Sequence, residues 1–190
     1  MALTVFTIGH SNHPLERFLA LLDGARIETV TDVRTAPASR HFPQFNKARL
    51  TATLAEHGIG YTFAGDALGG RPKDEKLWRD GRPDYRRMIE TGAAQAALKQ
   101  MRADAVAKPL AMMCSEKEPL DCHRTVLVSR RLAERGVAIE HLLADGGIRP
   151  HAEIEEALLG RAAAPDLFDD RATRLARAWV ERERAMRRPR

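Results

Sequence analysis

Cysteine is scarce in this chain: its 190 residues include two, Cys114 and Cys122. Two are too few for a disulfide scaffold, and a cytoplasmic location is the default expectation. No apolar run approaches the roughly 20 residues that span a bilayer. Met1-Ala2-Leu3-Thr4 puts no basic stretch ahead of a long apolar segment, so no secretion signal is expected. The G-x-G-x-x-G fingerprint of dinucleotide binding is missing. There is no internal repeat, and no low-complexity tract beyond a charged C-terminus. What is present is ordinary globular material: 44% hydrophobic residues, 30% charged residues and a mean hydropathy of −0.39. That excludes a disordered, collagenous or membrane-embedded chain. The length suits one domain, or one domain with an appendage, and can bury a core.

The net charge of +5 invites a nucleic-acid reading, but its distribution weakens it. Residues 161–190 hold nine arginines against five acids, which leaves only +1 for the first 160 residues. The basic character belongs to the C-terminal segment rather than to the body.

The first 160 residues read as strands alternating with helices. Strands are expected at residues 3–8, 28–33, 60–63, 109–113 and 137–143. Helices are expected at 14–23, 46–57 (capped by Asn46), 85–106 with a break near Gly92, 121–135 ended by Gly136, and 151–159. An arginine-rich helix follows from about Arg171 to Met186. The expected domains are therefore an α/β unit at 1–160 and a helical extension at 161–190. The fold class is α/β, Rossmann-like: a mostly parallel five-stranded sheet with helices on both faces. Leu175, Trp179 and Met186 share one side of the last helix, for packing on the domain or on a second subunit in a homodimer; a nucleic-acid-binding tail is the alternative reading.

In such sheets ligands bind beyond the carboxyl ends of the strands. The chemistry-bearing residues gather there: Thr7-Ile8-Gly9-His10-Ser11 after the first strand, Asp32-Val33-Arg34 and then Arg40 after the second, Leu68-Gly69-Gly70-Arg71 after the third, and Cys114-Ser115-Glu116 with Cys122-His123-Arg124 after the fourth. Taken together these motifs resemble the bacterial domain-of-unknown-function 488 family, DUF488, over about residues 4–158. The resemblance implies a small cytoplasmic α/β domain and supplies no reaction or substrate.

The residues must therefore carry the functional reading. Asp121 is a suitable N-cap, placing Cys122, His123 and Arg124 in the first helical turn, where free N–H groups and the helix dipole favour an anion. Arg124 would add a fork of donors, and a cysteine there would be more nucleophilic. The competing reading is that Cys114 is a small buried strand residue, with His123 and Arg124 trimming a helix end. Cysteine-dependent phosphatases and sulfurtransferases place the arginine nearer their cysteine than Arg124 is to Cys114, so their mechanism is not carried over. A metal is disfavoured: there is no C-x2-C pair, and adjacent Cys122 and His123 would point apart on a helix. A Cys114–Cys122 disulfide would be at most a redox event.

Asp32 and Arg34 share a face of their strand and either serve a pocket or pair with each other. Ser11 and Asn12 cap the next helix or donate to a ligand, and His10 is an acid or base candidate. Arg40 beside Phe42 and Phe45 grips a phosphate, or the phenylalanines simply pin their loop. Gly69 and Gly70 supply an unusual turn.

The reading is an enzyme, a hydrolase or transferase, with an anion site for a phosphate-bearing small molecule such as a nucleotide, or for a nucleic-acid component. Ser11, Arg34, Arg40, Gly69, Gly70, Arg71, His123 and Arg124 would bind it. Asp32, Glu116 and His10 are acid–base candidates, and Cys114 or Cys122 the nucleophile. No cofactor, metal or membrane is called for. The alternatives are a non-catalytic nucleotide or nucleic-acid binding module, or a cysteine-based redox or metal sensor.

Overall fold

A computed structural model describes residues 3–161 and 169–186. The expected linker after Gly160 falls largely outside them. Short apolar runs make the strands β1 (Thr4–Gly9), β2 (Thr29–Asp32) and β3 (Gly60–Phe63). A two-residue ribbon, β4 (Trp78–Arg79) with β5 (Arg82–Pro83), stands apart. β6 (Leu110–Cys114), β7 (Ala138–Leu142) and β8 (Ile148–Pro150) complete the main sheet, ordered β3-β2-β6-β1-β7-β8. All its pairings are parallel except β7 with β8. The sixth, antiparallel edge strand was not expected; three residues are too few to show a period.

The helices are α1 (Leu15–Gly24), α2 (Lys47–Glu56), the single turn α3 (Gly65–Leu68), α4 (Tyr85–Glu90) and α5 (Gly92–Ala107). The expected break near Gly92 falls at Thr91, whose hydroxyl accepts from Ala94 N and caps α5. A π-helix, Arg124–Ser129, runs into α6 (Arg130–Ala133), and Gly136 stops it at φ +77°. α7 (His151–Leu159) and α8 (Arg171–Met186) follow. Among the described residues no helix is long and apolar enough to cross a membrane.

β6 is buried throughout, and its side chains alternate between two cores. Leu110, Met112 and Cys114 face the core shared with α4, α5, α6, α7 and α8. Ala111 and Met113 face the core built from α1 and α2. That alternation decides which side of the sheet each strand-end residue serves.

Three expected caps do not form. Asn46 precedes α2, but its Oδ1 accepts from Ser39 N at 2.6 Å and pins the preceding loop instead. Pro14, not Ser11 or Asn12, holds the N-cap position of α1. Asp121 closes a 3-10 turn, Pro119–Asp121, and is ion-paired to Arg182.

α8 packs on the sheet domain through Trp179, which is 2% exposed. Its ring stacks on His151 at 5.8 Å between centroids. His151 Nδ1 lies 3.1 Å from His141 Nε2, and His141 Nδ1 lies 2.7 Å from Thr7 Oγ1. Burial, then the neighbouring His151, pushes His141 down to about 2; burial alone pushes His151 down to about 4. Both rings are neutral in the fold but take up a proton below about pH 6.5 when the chain unfolds. The unfolded state then binds more protons, so stability is full above that pH and falls as pH drops. We expect the stability difference between wild type and His151→Gln to shrink by about 1.4 kcal/mol per pH unit from pH 6.5 towards 4, in urea unfolding. A difference constant with pH would show that His151 is not held neutral.

Candidate functional site

Two polar constellations occupy the carboxyl edge of the sheet, one on each face. The first begins at Asp32, which ends β2 on the α1–α2 side and is 0% exposed. Arg34 folds back on it: Nη2 donates to Oδ2 at 2.6 Å, and Nε lies 3.0 and 3.1 Å from the two carboxylate oxygens. Tyr61 on β3 adds its hydroxyl to Oδ2 at 2.8 Å. Burial, then the Asp32 carboxylate, raises the Tyr61 pKa, so the phenol keeps its proton. Arg34 Nη2 also donates to the Phe45 carbonyl at 2.8 Å, and Nη1 lies 3.1 Å from His10 Nε2. His10 stacks on Phe45 at 4.3 Å, and its Nδ1 lies 2.9 Å from the Ser11 carbonyl. Burial, then Arg34, pushes His10 down to about 4. The neutral ring accepts from Arg34 at Nε2 and donates from Nδ1.

His10 and Arg34 of this network line a cleft of about 460 Å³, together with Ser11, Asn12, Ser39, Phe42 and Ser115, and with Ala36 and Ala38. Ser11 sits at φ +47°, a left-handed conformation that turns the chain at the cleft mouth. Its N–H is held by the Ser115 carbonyl at 2.9 Å, which ties the β1 loop to the β6 loop. A larger cleft of about 760 Å³ lies between β7, α7 and α8; none of the candidate residues named from the sequence lines it.

The second constellation lies behind that wall, on the α4–α8 side. One oxygen of Glu116, Oε2, is 3.0 Å from Cys114 Sγ and 2.9 Å from Cys122 Sγ. His123 Nδ1 is 3.6 Å from Cys114 Sγ, while its Nε2 donates to the Val33 carbonyl at 2.9 Å. The four donor atoms lie within 4.8 Å of one another. Both cysteines and His123 are buried, whereas Glu116 is exposed as a residue although its Oε2 reaches both thiols. Burial, then Cys122, pushes the Cys114 thiol up, and the same two influences raise Glu116. For Cys122 burial acts upward but is outweighed by Cys114, Arg124 and His123, so its pKa is lowered. His123 is raised, the pull of Cys122 and Glu116 exceeding the effect of burial.

Sequence expectation and geometry part at several residues. Arg124 is 0% exposed, and its Nη1 and Nη2 donate to the carbonyls of Glu116 (2.6 Å) and Lys117 (3.1 Å). Its fork holds a loop rather than facing the cleft, because the chain after β6 crosses directly over it. Cys122 and His123 do not diverge. Cys122 is extended, at φ −127° and ψ 138°, between the 3-10 turn and the π-helix, so the two side chains converge. Asp32 faces its partners, not the cleft. Arg40 and Arg71 are exposed and outside the cleft lining. Gly69 and Gly70 serve close packing: a Cβ at Gly69 would lie 2.5 Å from Thr35 Oγ1, and one at Gly70 2.8 Å from the His123 ring. Phe45 is fully buried and pins its loop; Phe42 is the aromatic residue that lines the cleft.

Sequence reasoning missed Tyr61 and gave no role to Ser39 or to Ser115, although Ser115 stands in the Cys114-Ser115-Glu116 motif. The β3 register, Asp32 beside Phe63, places Tyr61 two residues back on the same face, which a strand alignment would have flagged.

Removing one member of a buried ion pair leaves the other charge uncompensated. Asp32→Ala is therefore expected to destabilise the protein by about 3–5 kcal/mol in denaturant unfolding. Tyr61→Phe should lose only about 1 kcal/mol, the scale of one hydrogen bond. Equal, small losses would mean that the pair is solvated.

No curated protein and no solved structure matches this chain. The model of one family does, over residues 14–131, a span that takes in Asp32-Val33-Arg34, Leu68-Gly69-Gly70 and both cysteine motifs, though not Gly9-His10-Ser11. With that match covering more than half of its length, the chain belongs to the family described as domain of unknown function DUF488.

Proposed function

We propose that the protein binds a small phosphate-bearing molecule in the cleft between the β1, β2 and β6 loops. The observation that carries this reading is the state of Arg34. Of its five N–H groups, Nε and both on Nη2 are engaged by Asp32 and Phe45, and one on Nη1 by His10. One N–H on Nη1 is left, in a residue that lines the cleft. The guanidinium is held rigid by a carboxylate outside the lining, so little entropy is lost when an anion docks. Ser11, Asn12, Ser39 and Ser115 share the lining with it and supply the polar groups that phosphate oxygens require, although the Ser11 hydroxyl donates to Asn12 Oδ1 and the Ser39 hydroxyl accepts from the N–H groups of His41 and Phe42; Phe42 offers a face for a base or sugar.

Binding rather than turnover is the part assigned. His10 has both ring nitrogens engaged, and Asp32 is saturated by Arg34 and Tyr61; both position Arg34. A small ligand is favoured over nucleic acid because three of the five arginines on α8, Arg171, Arg177 and Arg182, are paired with Glu156, Asp169 and Asp121. Paired cations have little left for a phosphate backbone.

Thermal unfolding against inorganic phosphate, sulfate, sugar phosphates and nucleotides tests this. A ligand at 100 times its Kd adds about 2.7 kcal/mol, roughly 5–10 °C for a chain of this size. The shift should vanish in Ser39→Ala combined with Arg34→Lys, which keeps the charge and loses the fork. No shift from any of these compounds in wild type would sink the proposal.

A further inference from the structure

We infer that Cys114, Glu116, Cys122 and His123 form a binding site for a divalent cation of the zinc type. Two thiol sulfurs, one imidazole nitrogen and one carboxylate oxygen converge, their donor atoms within 4.8 Å of one another. Sulfur and imidazole together select zinc-like ions over calcium or magnesium, which take oxygen donors. A tetrahedral ion with bonds of about 2.0–2.3 Å holds its ligand atoms roughly 3.5 Å apart. Cys114 Sγ and His123 Nδ1, at 3.6 Å, already stand at that separation. Glu116 Oε2, at 2.9–3.0 Å from the sulfurs, must retreat by a few tenths of an ångström, and it is the one exposed member.

The surroundings match what a metal-binding histidine needs. His123 donates Nε2–H to the Val33 carbonyl at 2.9 Å, which fixes the tautomer and leaves the Nδ1 lone pair facing the cluster. Gly70 lets the chain lie against that ring and locks its rotation. The backbone N–H of Arg124 points at Cys122 Sγ, 3.4 Å away. The Arg124 guanidinium is an independent sign. It is wholly buried, has no carboxylate partner among the described residues, and its Nε has no hydrogen-bond partner. A buried cation calls for a nearby anion. Two thiolates and a carboxylate around a dication carry a net charge of −1, which Arg124 balances.

A nucleophilic role fits less well, because neither cysteine lines the cleft and both are buried. An ion needs only the Glu116 side of the cluster as its entrance. On binding, the ion accepts four lone pairs, the protons those donor atoms carry pass to solvent, and nothing is oxidised or reduced. Ser115, between two of these ligands, lines the cleft, so the ion would stiffen the wall that faces the phosphate.

The test is a Co²⁺ titration of the full chain, reduced and stripped with a chelator, followed by competition with Zn²⁺. One equivalent of Co²⁺ should give sulfur-to-cobalt charge transfer and tetrahedral visible bands, and Zn²⁺ should abolish both. Cys122→Ser should weaken binding by more than about 100-fold, beyond the loss typical of an outer-shell partner. Exposed Glu116→Gln, which should fold normally by circular dichroism, should weaken it at least about tenfold. Wild type without the charge-transfer band, or both variants within twofold of wild type, would overturn the site. The titration contains no phosphate or nucleotide, so its outcome is independent of what the cleft binds.

Discussion

The buried Arg124 guanidinium holds the carbonyls of Glu116 and Lys117, and this contact sets the geometry of the whole functional edge. The loop after β6 has to pass over β1, and it does so at Gly9, where a Cβ would lie 1.8 Å from the Glu116 carbonyl oxygen. Only glycine permits that crossing. With the loop so placed, the Cys114 and Ser115 carbonyls accept from the N–H groups of His10 and Ser11, both at 2.9 Å. Backbone pairing thus joins the loops that follow β1 and β6, and the buried cation fixes the second of them. Without it, the Glu116 and Lys117 carbonyls would lose these donors.

Because side chains alternate along a strand, that edge serves two different chemistries. Asp32 and Tyr61 fall on the α1–α2 face, where Phe45 and His10 close over them and orient Arg34. Cys114 and Val33 fall on the other face with His123 and Cys122. The residues between these sets connect them: Val33 lies between Asp32 and Arg34, and Ser115 between Cys114 and Glu116. A shift of one residue in β2 or β6 would swap the two environments, and buried pairing prevents such slippage.

The C-terminal helix bears on this edge from below. Arg182 donates to the Leu120 carbonyl at 2.7 Å and is paired with Asp121, so α8 holds the turn that leads into Cys122. Trp179 on His151 extends the contact to β7 and, through His141, to Thr7 in β1. The arginines that make the sequence look basic are in part the means by which α8 is fastened.

By itself the sequence determined the order of strands and helices, since hydrophobic periodicity and glycine stops are local signals: β3, α7 and α8 stand where they were expected, and Gly136 ends its helix. It also determined which loops share an edge, because parallel strands bring their carboxyl ends together. The partner of each polar group was decided only by tertiary structure. Arg34 and Arg124 are both strand-end or helix-start arginines in the sequence. One lines a cleft and the other is sealed beneath a loop, because the crossing at Gly9 covers Arg124 alone. Cys122 and His123 diverge on any regular helix; an extended Cys122 ahead of a π-helix turns them together. Such choices depend on contacts between residues such as Asp32 and Tyr61, or Val33 and His123, which no spacing along the chain encodes.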